Sequence, residues 1–215
     1  MSTYLRPPID DPVFRDADGT VIEYGNRWPG SPPEDTYSVD THPERFAPIH
    51  RVAEALLTHL RTVYDVETDE DSSAASDLLR PGYFEVVKAV RIRPKDPACA
   101  TLTFVFTSYP GRYVHAGLLH DFPYPVCGCD ACDATWTAEA DELERQVLAV
   151  VAGQYRESIE RGRGPWAEYA FRHPDGASSG RSRAQDLPPD RLAQARRVLR
   201  KHPDGWAAWP ESAAP

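Results

Sequence analysis

Apolar residues Phe46, Ile49, Ala53, Leu56, Leu60 and Val63 recur at three- and four-residue steps, the period of one buried helix face. Thr41-His42-Pro43-Glu44 stands before them as a capping box with proline in the first turn, so this helix is expected to begin near Thr41. Asp65 to Asp77 is acidic and serine-rich and reads as a mobile loop. The pattern then changes to alternation. Phe84, Val86, Val90 and Ile92 fall between mostly polar neighbours, and Leu102, Phe104 and Phe106 between Thr101, Thr103, Val105 and Thr107. Ser108 to Gly111 turns the chain into Tyr113 to Leu119, and the last two runs predict an antiparallel hairpin with one buried face. Leu143, Val147, Val150, Val151 and Tyr155 mark a second helix over about Thr137 to Arg161. Acids fill its first turn; Arg156, Arg161 and Arg163 stand at its end, and Gly162 and Gly164 stop it.

Weaker signals fill in the ends. Residues 1–40 are rich in proline, aspartate and glycine and read as a wrapping arm. Val13–Tyr24 within it forms a short hairpin turned at Asp18-Gly19. Trp166 to Arg172 is one more strand, His173 to Pro189 a loop, and Asp190 to Lys201 a short helix; Trp206 and Trp209 anchor the tail on the core. Helices and strands are grouped rather than strictly alternating. The expectation is an α+β fold: an antiparallel sheet of about three to five strands packed with two main helices and long Pro-rich loops. It forms a single domain over residues 1–215, with its arm at 1–40, its core at 41–172 and its tail at 173–215.

Composition allows a real core, with 41% hydrophobic residues, and the 21 prolines account for long irregular connections. No run approaches a membrane span, and Met1 to Pro8 has no apolar stretch of the kind a signal peptide needs, which predicts a cytoplasmic protein. The formal net charge of -9 and the shortness of the basic clusters count against a nucleic-acid partner; a protein partner is compatible with both.

Three of the four cysteines fall in Cys127-Gly128-Cys129-Asp130-Ala131-Cys132. In a reducing compartment such a cluster points to a shared metal rather than a disulfide framework. Zinc suits the spacing better than an iron–sulfur cluster does. Structural zinc takes four ligands, and His120, seven positions before Cys127, is the first choice for the fourth, with the intervening residues expected to loop back. Cys99 comes next, then Asp130, Asp133 and His115; water in that place would make the site potentially catalytic. No Lys or Arg lies between Arg112 and Arg145, while seven acids do, so bare thiolates are disfavoured there and metallated ones are not.

His120 with Pro125-Val126-Cys127-Gly128-Cys129-Asp130-Ala131-Cys132-Asp133 resembles the signature of an uncharacterised actinobacterial family, a domain of unknown function. Tyr4–Pro8, Tyr24–Trp28 and Thr101–Phe106 are similar to it as well. The resemblance implies a cysteine/histidine cluster and no activity. His42-Pro43-Glu44 with Cys129-Asp-Ala-Cys132 only imitates the ligand pattern of zinc deaminases, because Gly128 stands where their proline would. Gly176-Ala-Ser178-Ser-Gly180 matches a nucleophile elbow as a string, without the apolar strand that must lead into one. These signals together predict a zinc-binding protein with no catalytic residue, the zinc structural and the role one of binding or interaction. A zinc hydrolase or deaminase-like enzyme is the alternative, and a thiol redox switch that releases zinc is the second.

Overall fold

A computed structural model describes residues 3–80, 84–162 and 164–213. The elements run α1 (Pro48–Val63), β1 (Val66–Asp69), β2 (Val86–Pro94), β3 (Leu102–Thr107), β4 (Arg112–Ala116), β5 (His120–Tyr124), α2 (Trp136–Val151), β6 (Tyr155–Ile159), β7 (Trp166–His173), β8 (Gly176–Arg183) and α3 (Pro189–Leu199), joined by short 3-10 turns. The strands form two antiparallel sheets, a five-stranded one in the order β1-β2-β3-β4-β5 and a three-stranded one in the order β6-β7-β8. The fold is α+β, with more strands than the alternation alone announced.

One core organises both sheets. Ile49, Val52, Ala53, Leu56, Leu57 and Leu60 of α1 and Leu143, Val147 and Val150 of α2 pack on Leu102, Phe104, Val114 and Phe122 of the large sheet. Tyr155 and Phe171 bring the small sheet into the same core, and Trp206 and Trp209 close it, with Trp209 Nε1 donating to Ala100 O at 3.0 Å. The opposite face of the large sheet is covered by the 3-10 turn Ser72–Asp77 through Ala74, which packs near Ala89 and Val105.

The local rules explain where the pattern reading misplaced an element. Helix α1 starts at Pro48, not Thr41: residues 43–46 form a separate 3-10 turn, and the Thr41 hydroxyl is used by the Asp130 carboxylate instead of a helix cap. Residues 65–77 are ordered. Glu67 and Asp69 sit on edge strand β1 opposite Arg93 and Arg91, so the acids that suggested a loop face cations across the ladder, with Asp69 and Arg91 2.9 Å apart. Helix α2 ends ten residues early because Gly153 turns left-handed (φ 69°), and a Cβ there would lie 2.5 Å from the backbone N of Ala208. Residues 155–159 then alternate and pair with β7 as β6. Gly162 and Gly164 lie within the β6–β7 connection, and Arg163 lies outside the described residues. The polar run expected to be a loop is β8; it joins β7 by the two-residue link Pro174-Asp175 and carries polar side chains because its outer face has no cover. The hairpin in the arm exists in reduced form, as one bridge between Arg15 and Val21 around the Asp16–Gly19 turn.

Candidate metal centre

Strand β5 delivers the chain past the cis Tyr124–Pro125 bond to the cysteine loop, and Thr135, whose hydroxyl accepts from Ala138 N at 3.2 Å, starts α2 immediately after it. The loop is therefore held at both ends by core elements. Within it Cys129 precedes the one-turn helix Asp130–Cys132, with Cys132 N–H donating to Cys129 O at 3.1 Å, and Asp133 takes a left-handed backbone to leave the turn. Cys127 and Cys129 sulfurs are 3.3 Å apart and Cys129 and Cys132 sulfurs 3.4 Å. All three fall within 4.8 Å of one another, and none is in a disulfide. A tetrahedral site with Zn–S bonds of about 2.3 Å has edges of roughly 3.8 Å, so small adjustments would admit the ion.

The thiols share protons unequally. Burial opposes ionisation of Cys129, but hydrogen bonds from the Cys127 thiol and from the backbone N–H groups of Cys132 and Ser38 outweigh it and bring it down to about 7. Hydrogen bonding to the sulfurs of Cys127 and Cys129 pushes Cys132 up to about 12. A divalent cation bound by the three sulfurs would replace the shared protons.

The N-terminal arm builds the rest of the site. Asp130 N–H donates to Val39 O at 2.7 Å, Trp28 Nε1 to Asp130 O at 3.1 Å and Arg27 N to Asp133 Oδ2 at 2.8 Å. The Asp130 carboxylate is buried beside Thr41, Arg27 (3.6 Å) and Arg45 (3.8 Å). Arg45, itself buried, reaches Asp40 at 2.9 Å and donates to Gly128 O at 2.5 Å. The local chain lacks basic residues, but folding brings two beside Asp130, which offsets part of the anionic surroundings inferred from chain order. Among the described residues, the two non-glycines with left-handed backbone are Ser38 (φ 59°) and Asp133 (φ 51°), and both border this loop. Tyr109 donates to Asp40 at 2.6 Å and closes one wall of a groove of about 400 Å³ that also touches Ser38, Val126, Gly128 and Cys129.

The other ligands anticipated for the centre are placed elsewhere. His120 is not in the close set. The residues expected to loop back form β5, and His120 begins that strand while Tyr124 ends it, roughly 13 Å of extended chain away. Its Nδ1 lies 3.1 Å from Glu157 Oε1, in a buried group where Glu157 also accepts from Leu119 N (2.8 Å), Leu118 N (3.1 Å) and Trp206 Nε1 (3.0 Å). Cys99 is buried and donates to Ala208 O at 3.2 Å, and burial pushes its thiol up to about 11. His115 pairs with Asp121 at 2.6 Å. Asp130 and Asp133 bind the arm. Sequence reasoning missed Arg27, Asp40, Arg45 and Tyr109, since no spacing rule links residues so far apart in the chain; Asp130, lying between the cysteines, was the one local hint.

Among the described residues no helix is long and apolar enough to cross a membrane. No curated protein and no solved structure matches the chain. A family model does, over residues 10–213, nearly the whole chain from the arm through the cysteine loop to the tryptophan tail, and the protein belongs to that family of unknown function, DUF6226.

Proposed function

We propose that Cys127, Cys129 and Cys132 bind a zinc ion with a structural role in a cytoplasmic protein that works by binding rather than by catalysis. The observation that carries this reading is the convergence of three unbridged sulfurs on a loop locked to the arm by Arg45 and Asp130. Three thiolates bound to one cation would fix the loop between the end of β5 and the start of α2, and with it the backbone groups that hold the arm. The close set supplies three ligands, and His120, at the other end of β5, would have to leave Glu157 and its strand to become the fourth. A zinc hydrolase is the second reading, favoured by the groove that opens beside Cys129. A redox switch is the third, since sulfurs 3.3–3.4 Å apart could oxidise in pairs and release the ion.

Elemental analysis of protein purified without added metal tests the centre. The expected result is one zinc per chain, lost in Cys129→Ser and kept in His120→Ala. Chelation should remove about 3–5 kcal/mol, a fall of roughly 10 °C in melting temperature for a domain of this size. Metal-free protein with unchanged melting would overturn the proposal. Hydrolysis of ester or amide substrates that depends on the zinc would move the assignment to the second reading.

A further inference from the structure

The chain is acidic as a whole, but its charge is divided unevenly. Residues 1–152 carry 13 Lys and Arg against 25 Asp and Glu; residues 153–215 carry 11 against 8. The arginines of the first part are mostly engaged: Arg6, Arg27, Arg45, Arg61, Arg91 and Arg145 all pair with carboxylates. Around the small sheet and α3 the reverse holds. Arg156, Arg161, Arg181, Arg196 and Arg200 enter no ion pair among the described residues, and all five are exposed to solvent. An acidic protein with abundant carboxylates has left these cations unpaired on one side.

They also share a continuous depression. One groove of about 510 Å³ lies on the outer face of β6–β8 against Arg156, Ser158, Glu168 and Arg181. A second, of about 670 Å³, lies along β6 and α3 against Arg156, Arg161, Arg196, Arg200 and His202. Arg156 and Ser158 line both, so the two run end to end. Glu157 projects to the buried side, which leaves Glu160 as the opposing charge of the second groove. At the far end Arg181 lies over the Trp166 ring, 4.6 Å from its centroid.

We propose that this track binds single-stranded nucleic acid. The cations are arginines, whose planar fork suits phosphate oxygens, and the guanidinium layered on Trp166 offers a flat surface to an unpaired base. The track crosses the strands instead of following them. From the strand register Arg181 and Arg156 are roughly 12 Å apart over two strand spacings, and α3 continues the line. An acidic peptide added to the edge of β6 would run along the strand and meet only part of it. The overall charge, which counted against nucleic acid, averages over a molecule whose two parts differ in sign. The inference stands apart from the metal centre.

The test is fluorescence anisotropy of a labelled oligothymidylate of about 15 nucleotides with the full-length protein over a salt series. Five arginine–phosphate contacts give a slope of log K against log salt of about -3 to -4. Arg156→Glu combined with Arg196→Glu should weaken binding at low salt by about tenfold or more; both side chains are exposed, and unchanged melting will confirm the fold. Arg93→Glu, on the large sheet, should bind as wild type. Absence of binding at low salt overturns the proposal, as does wild-type affinity in the double variant. So does stronger competition by polyglutamate or inorganic polyphosphate than by unlabelled oligothymidylate.

Discussion

Gly128→Ala probes how tightly the cysteine loop is fitted to its support. Gly128 is not among the glycines with positive φ, so alanine meets no backbone penalty there and should gain about 0.4–1 kcal/mol from the unfolded state. Space decides the outcome. A Cβ on Gly128 would lie 2.0 Å from the Tyr109 hydroxyl, 3.2 Å from its Cζ and 3.0 Å from Asp40 Oδ2. The loop or the ring must move by about an ångström. The ring is held by its 2.6 Å bond to Asp40 and by stacking on Phe84, and the loop by Arg45 at Gly128 O. Breaking the bond to a charged acceptor costs about 1.5–3 kcal/mol, so the net loss should be about 1–2 kcal/mol, or roughly 3–8 °C in melting temperature. Urea denaturation of wild type, Gly128→Ala, Tyr109→Phe and the double variant forms a closed cycle. Removing the hydroxyl leaves 3.2 Å to Cζ as the nearest ring contact, so when Tyr109→Phe is already present the alanine should cost less than about 0.5 kcal/mol. Additive costs would refute the reasoning, because the loop would then be indifferent to the hydroxyl.

Three further outcomes are expected. Glu157→Gln keeps the shape but turns an amide toward N–H groups that now face carboxylate oxygens, and should cost about 2–4 kcal/mol by chemical denaturation; a loss below about 0.5 kcal/mol would show that the group is not fully desolvated. Asp77 is partly buried, which raises its pKa, but hydrogen bonds from Arg91 and Thr103 prevail and hold it below the usual carboxylate range. Its stabilisation is therefore complete above the unfolded value of about 3.9 and is lost as pH falls through the lower folded value, so the gap between wild type and Asp77→Asn should be constant from about pH 5 to 8 and close in acid. A gap that widens in acid has the wrong sign. Arg45→Met removes the guanidinium that lies over Tyr24 and Phe46 and frees Asp40 and Gly128 O, and should cost about 2–4 kcal/mol and lower zinc retention on dialysis against a weak chelator; retention equal to wild type would separate the arm from the centre.

The helices and central strands were legible because their signal is local. The α1 stripe and the alternation of β2 and β3 each repeat within one element, and the core is built from those residues. Beyond them, local composition misled. Glu67 and Asp69 look like loop residues until Arg93 and Arg91 stand opposite, and Gly176–Arg183 looks like a linker until β7 supplies its ladder. Tyr155 continues the helical period of α2, yet Gly153 breaks the helix first because Ala208 from the tail occupies the space a side chain would need. The candidate site divides the same way. The three sulfurs are one local motif and come together as the motif implied. His120 is near the cysteines along the chain, but pairing of β5 with β4 fixes it at the end of its strand away from them.

Long-range assembly also changes the chemistry assigned to the cysteine loop. On chain order alone its carboxylates would resist three thiolates. The fold sets Arg27 and Arg45 against Asp130 and supplies Ser38 N–H to Cys129, so the arm provides both positive charge and a sulfur hydrogen bond. A zinc ion with three thiolates carries a net charge of about -1, which these groups suit better than a bare acidic loop would. The arm is thus part of the centre rather than a wrapping around it. Its irregular, proline-rich path follows from that role: Val39 O, Arg27 N, Trp28 Nε1 and the Thr41 hydroxyl must each meet one short loop, and a regular helix or strand could not present them all to it.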